Sequence, residues 1–184
     1  MSSYDLAAIT SQISSRRRRG TPLVVALDGP SGSGKSRLAK RAARALGPHT
    51  LVRMDHVVAS WDGLAESVET MRPILAQLRA GQDVQYRVWD WSSSQWGAPL
   101  DRAASVTIVV EGCGCGALAL ADLVDFLVFV DAPAAVRHER AMARDGATYE
   151  PHWQQWADQE TDHFAANDTR ARADLLLDGR VPVR

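Results

Sequence analysis

Between positions 26 and 39 the sequence reads ALDGPSGSGKSRLA, and the residues that could do chemistry are concentrated there. Gly29 to Ser36 satisfies the pattern G-x-x-x-x-G-K-[ST] in full. Glycines at these spacings let the backbone curl so that successive N–H groups point into one hollow the size of a phosphate. The Lys35 ammonium can reach the outer phosphates of a nucleotide, and the Ser36 hydroxyl can join the shell of a magnesium ion. Gly29, Ser31, Gly32, Ser33, Gly34, Lys35, Ser36 and Arg37 are therefore the expected nucleotide-binding residues, with ATP and Mg²⁺ as the expected ligands.

Such a loop works only between a strand and a helix, and both are written on either side of it. PLVVALD (22–28) is a short, β-branched apolar run, the signature of a buried parallel strand. KSRLAKRAARAL (35–46) carries Leu38, Ala42, Ala45 and Leu46 at helical spacing and ends at Gly47-Pro48. The new helix also points its positive N-terminal end at the hollow. Further strands are predicted over 50–55, 105–112, 125–132 and 173–179, and 83–91 reads as a strand leading into a loop. Helices are predicted over 63–81, where Pro73 should kink or split the turns, and over 133–146 and 151–168. Alternation of this kind implies an α/β fold, a doubly wound parallel sheet of about five strands with helices on both faces.

Two carboxylates end predicted strands, where parallel sheets collect their ligands. Asp55, in RMDHVV, could accept the proton of an attacking hydroxyl or hold magnesium through water. Glu111, in TIVVEG, could bind magnesium waters. Arg137, Arg140 and Arg144 fall at i, i+3 and i+7 on one helical face, which suits a lid over 137–150 that clamps phosphates. Farther on, Trp153, Trp156 and Phe164 should pack their helix on the domain. Glu160, His163 and Asp168 lack a recognisable metal-ligand spacing and read as a polar helix face.

The ordered set GPSGSGKS, MD, VWDW, VVEG and RAMARD resembles the uridine kinase-like branch of the P-loop kinases over roughly residues 22–178. The resemblance implies a three-layer α/β/α P-loop domain with a small helical lid, ATP as donor, and transfer to a hydroxyl of a small metabolite such as a nucleoside. It implies Asp55 as catalytic base, Ser36, Glu111 and Asp55 around magnesium, and Lys35, Arg140 and Arg144 on the transferring group. Trp89, Asp90 and Trp91 resemble the aromatic-Asp-aromatic segment that lines the nucleoside pocket, although serines stand at 92–94 where pyrimidine nucleoside kinases carry a histidine. Two alternatives stay open. One is a nucleoside monophosphate kinase, which would need extra basic residues such as Arg53, Arg72 and Arg87. The other is a regulatory ATP-binding protein with no small-molecule acceptor.

Bulk properties narrow the partners. The chain has 184 residues, 46% hydrophobic and 23% charged, with a formal net charge of −1. That suits one domain at 21–184 behind an N-terminal helix and basic segment at 1–20, and gives no field for nucleic acid or an acidic membrane. Arg16 to Arg19 form a local exception that reads as a solvated segment. Cys113 and Cys115 read as reduced thiols, and the N-terminus lacks a secretory pattern, so a cytoplasmic monomer or homodimer is expected.

Overall fold

A computed structural model describes residues 3–184. Five strands form a parallel sheet: β1 (Leu23–Asp28), β2 (Thr50–Arg53), β5 (Thr107–Glu111), β6 (Phe126–Asp131) and β7 (Leu175–Asp178), in the order β2-β5-β1-β6-β7. The first strand is thus central, and all six of its residues are buried. The chain lays β2 and β5 on one side of it and then β6 and β7 on the other, and this switch opens a crevice at the carboxyl end of β1, where the glycine loop lies.

Alternation along β1 divides the core. Val24 and Ala26 face α3 (Leu64–Arg79), against Val68, Met71, Leu75 and Leu78, while Leu23, Val25 and Leu27 face α1 (Leu6–Ser14) and α2 (Lys35–Ala45). The result is the three-layer α/β/α arrangement. α3 runs unbroken through Pro73, so the expected split does not occur; its apolar face of Met71, Ile74, Leu75 and Leu78 stays buried across the proline.

A second, two-stranded sheet pairs β3 (Val84–Asp90) with β4 (Gln95–Arg102) in antiparallel register, interrupted between Arg87 and Trp89. The sequence reading has a loop where β4 lies; Gly97 and Pro99 mask it, and a strand exposed along most of its length carries little apolar alternation. After β6 come α4 (Ala134–Asp145), two single turns at 146–152, α5 (Trp153–Ala166) and the short α6 (Thr169–Arg172). The chain's two ends meet beside β7: Tyr4 N–H donates to Pro182 O at 2.9 Å, and Arg184 N–H donates to Tyr4 O at 2.9 Å. Arg16, in the basic segment, pairs with Asp174 at 2.8 Å. Among the described residues no helix is long and apolar enough to cross a membrane.

Candidate active site

The glycine loop is closed so tightly that two of its positions admit no side chain. A Cβ on Gly29, at φ +140°, would lie 2.0 Å from the Val130 carbonyl oxygen. One on Gly32, at φ +76°, would lie 2.2 Å from the Arg137 carbonyl oxygen, where α4 begins. Gly34 leads into α2, so the amides of its first turn face the same hollow. Lys35 is 8% exposed and donates to Pro30 O at 3.3 Å. Burial pulls its pKa down, but Cys113, Glu160, Asp55 and Glu111 together outweigh that and hold it above the ordinary lysine value. The Ser33 hydroxyl is buried without a partner. Arg37 is exposed and, with Gly34, Leu38, Arg41, Gly179 and Val181, lines a cavity of about 190 Å³ beside the loop.

Three carboxylates stand at strand ends around this loop. Glu111, 2% exposed, accepts the Ser36 hydroxyl at 2.7 Å and lies 3.5 Å from Arg53 Nε. Burial and the neighbouring Asp55 charge raise its pKa, against the pull of Ser36, Lys35 and Arg53. Asp55 sits, exposed, in the single turn Met54–His56 that follows β2, near enough for its charge to act on Lys35 and Glu111. The third, Asp28, is absent from the sequence reading. Its Oδ1 accepts the amides of Gly29 at 2.7 Å and Gly114 at 3.0 Å, and its Oδ2 that of Gly116 at 2.7 Å. It thereby ties the loop GCGCG (112–116) to the phosphate loop. Burial lifts its pKa from 3.8 to about 6 against those amides and Lys35. The signal was available, since Asp28 ends a buried strand just as Glu111 does.

The arginines of α4 divide their work. Arg140 donates to Gly179 O at 3.1 Å and reaches the Gly32 and Ser33 carbonyls at 3.4 Å. Arg144 is exposed and paired with its neighbour Asp145 at 2.6 Å. Arg137, which the resemblance leaves aside, faces a buried acid from another helix: its Nη1 is 3.5 Å from Glu160 Oε2. Glu160 is 2% exposed, which overturns its assignment to a polar helix face. It lies at i+7 from Trp153 and i+4 from Trp156, on the same stripe as the aromatic residues, and that position could have exposed it. Among the described residues no group of three His, Cys, Asp or Glu side chains is arranged to hold a metal. Ser36 and Glu111 offer two hard oxygens, a set that fits a magnesium ion whose other ligands are phosphate oxygens and water.

On the opposite wall the aromatic residues mostly contact one another. Trp61 stacks on Tyr149 at 5.1 Å and His152 at 4.5 Å, and packs against Trp91 at 4.6 Å. The Trp91 indole N–H donates to Asp55 O at 3.1 Å. Trp89 lies edge-on to Trp96 across the hairpin, at 5.4 Å, and its buried indole N–H has no partner. Asp90 is exposed and accepts Ser92 N–H and the hydroxyls of Ser92 and Ser93, which lower its pKa to about 2. The expected substrate carboxylate therefore ties off its own turn, and Trp91 meets protein rings in the place of a ligand's. Of the other basic residues weighed for an acceptor phosphate, Arg72 pairs with Asp122 at 2.7 Å and Arg87 donates to Gly97 O at 3.0 Å.

Together, this strand order, the loop at the crevice and the Lys35–Ser36 helix start define a P-loop domain. Residues 25–164 match the AAA domain family, and the chain belongs to it. No curated protein matches the sequence. Among solved structures the chain is similar to a possible uridine kinase from Bacillus stearothermophilus, at 20% identity and TM-score 0.70, covering 94% of this chain and 97% of that one. It is similar to a provisionally assigned fructose transport system kinase from Silicibacter sp. TM1040, at 23% identity and TM-score 0.69, covering 93% and 98%. D-glycerate 3-kinase from Cryptococcus neoformans var. grubii shares the fold at 10% identity and TM-score 0.55, covering 95% and 93%.

Proposed function

We propose that the protein transfers the terminal phosphoryl group of ATP to a hydroxyl of a small metabolite. The observation that carries this reading is the meeting of Ser36 and Glu111 at 2.7 Å beside the glycine loop, with the Asp55 charge acting on both Lys35 and Glu111. The loop's amides and Lys35 would hold the phosphates, and the cavity beside Arg37 and Gly34 would take the nucleoside end. Ser36 and Glu111 would hold magnesium, which offsets phosphate charge when bound. Asp55 would accept the proton of the attacking hydroxyl, and Arg140 and Arg144 would spread the charge that develops on the transferring group. Catalysis of this kind is mostly positioning and electrostatics, so few residues suffice.

The folds that the chain resembles include proteins named for uridine, fructose and D-glycerate, and each of these compounds carries hydroxyls. With Trp91 packed on Trp61 and Asp90 on its own serines, we place a sugar or hydroxy acid ahead of a flat nucleoside as acceptor. The test is ADP release from ATP·Mg²⁺ across nucleosides, nucleoside monophosphates, sugars and hydroxy acids. A class that raises release well above the acceptor-free rate identifies the substrate. If none does, the transferase reading fails and a nucleotide-dependent regulatory protein takes its place.

A further inference from the structure

The Glu160 carboxylate occupies a place that asks for an explanation. Its Oε1 accepts the Ser31 amide, inside the phosphate loop, at 2.6 Å and the Trp156 indole N–H at 2.8 Å. Its Oε2 faces Arg137 at 3.5 Å, and Arg137 itself donates to Ala132 O at 3.1 Å. Lys35, the loop's own cation, donates to Pro30 O. A buried carboxylate is costly to hold, and a neutral glutamine could accept from both Ser31 and Trp156 at lower desolvation cost. The negative charge is therefore the feature in need of a reason. It sits on an amide of a loop whose shape and dipoles favour an anion.

We infer that Glu160 is an internal stand-in for nucleotide phosphate, which the phosphate tail must displace in order to enter the loop. A triphosphate brings several negative charges to the hollow that Ser31 and Lys35 line, and like charges in a buried site repel strongly. Displacement frees Arg137 and the Ser31 amide for the incoming phosphates. It also frees the Trp156 indole, which packs edge-on against Trp61 at 6.3 Å and Trp91 at 6.5 Å. The Trp91 indole N–H in turn donates to Asp55 O at 3.1 Å, so the exchange of anions is felt where the acceptor would bind. Burial raises the pKa of Glu160, with Lys35, Ser31, Arg137 and Trp156 opposing.

This inference rests on the nucleotide-binding part of the proposed function and needs no acceptor to test. Calorimetry with ATP·Mg²⁺ and with adenosine would be run on the wild type and on E160Q, which keeps the side chain's shape and removes its charge. E160Q should bind ATP at least tenfold more tightly and adenosine no differently. In wild-type protein the indole N–H resonance of Trp156, assigned through W156F, should shift when ATP is added, a reading independent of how E160Q folds. Unchanged or weaker ATP binding by folded E160Q, or a Trp156 resonance that ATP leaves in place, overturns the inference. If the wild type binds ATP and E160Q gains nothing, the inference falls and the nucleotide reading stands. If neither protein binds ATP, both fall.

Discussion

Ser36 and Glu111 are 75 residues apart in the chain and 2.7 Å apart in space, a hydroxyl from the first turn of α2 donating to a carboxylate at the end of β5. The pairing of β1 with β5, Leu27 beside Glu111, brings them together. A magnesium ion held here needs both oxygens. E111Q should therefore lower the magnesium-dependent part of ATP affinity by about 10–100-fold, the usual cost of altering a metal's supporting groups. Calorimetric titrations of ATP with magnesium and with EDTA check this. Equal magnesium dependence in the variant and the wild type would remove Glu111 from the metal site.

Asp55 should matter to transfer and not to nucleotide binding. D55N is expected to retain wild-type ATP affinity while lowering turnover with the acceptor by ~10²-fold or more, the range that general bases supply. Steady-state ADP release on the acceptor found by screening, together with a binding isotherm, separates the two quantities. Full turnover in D55N would assign the base elsewhere.

Gly32 offers a purely steric test. G32A places a methyl group 2.2 Å from the Arg137 carbonyl oxygen, at a φ of +76° that side chains rarely adopt. The start of α4 must retreat or the loop must open. Urea unfolding should show a loss of about 1–3 kcal/mol, and ATP affinity should fall with it. Wild-type stability would mean that α4 does not rest on the loop in solution.

Asp28 gives a pH signature of unusual sign. Its pKa is higher folded, about 6, than the ordinary 3.8, because burial disfavours the charge. Its contribution to stability is thus full below pH 4 and is lost as pH rises through 6, by roughly 3 kcal/mol at 1.36 kcal/mol per unit. Glu111 and Glu160 shift in the same direction, also through burial. Urea unfolding of wild type and D28N across pH 4–7 tests this: wild-type stability should decline relative to D28N over that interval. A flat difference would mean that the amides of Gly29, Gly114 and Gly116 outweigh burial.

The glycine loop was legible because its information is local. Gly29 to Ser36 encode the loop by their own torsions, and the apolar runs on either side encode the strand and helix that hold it. The places of Asp55 and Glu111, just after β2 and at the end of β5, were legible from the apolar runs that precede them. What sequence did not disclose depends on contacts across the chain. Asp28 acquires its partners when residues 114–116 fold back on it, and Glu160 becomes a loop ligand when α5 crosses above Ser31. Trp91 read as a ligand platform because an aromatic residue looks the same whether its neighbour is a base or Trp61.

The backbone ladder between Tyr4 and residues 182–184 sets these two stretches side by side. A short bridge joining those ends, with a new opening at the exposed hairpin tip Ser93–Ser94, would preserve every strand pairing of the main sheet. The order of synthesis is then separable from the architecture: a circularly permuted version could be made to begin in the β3–β4 hairpin and still place Lys35, Ser36 and Glu111 together.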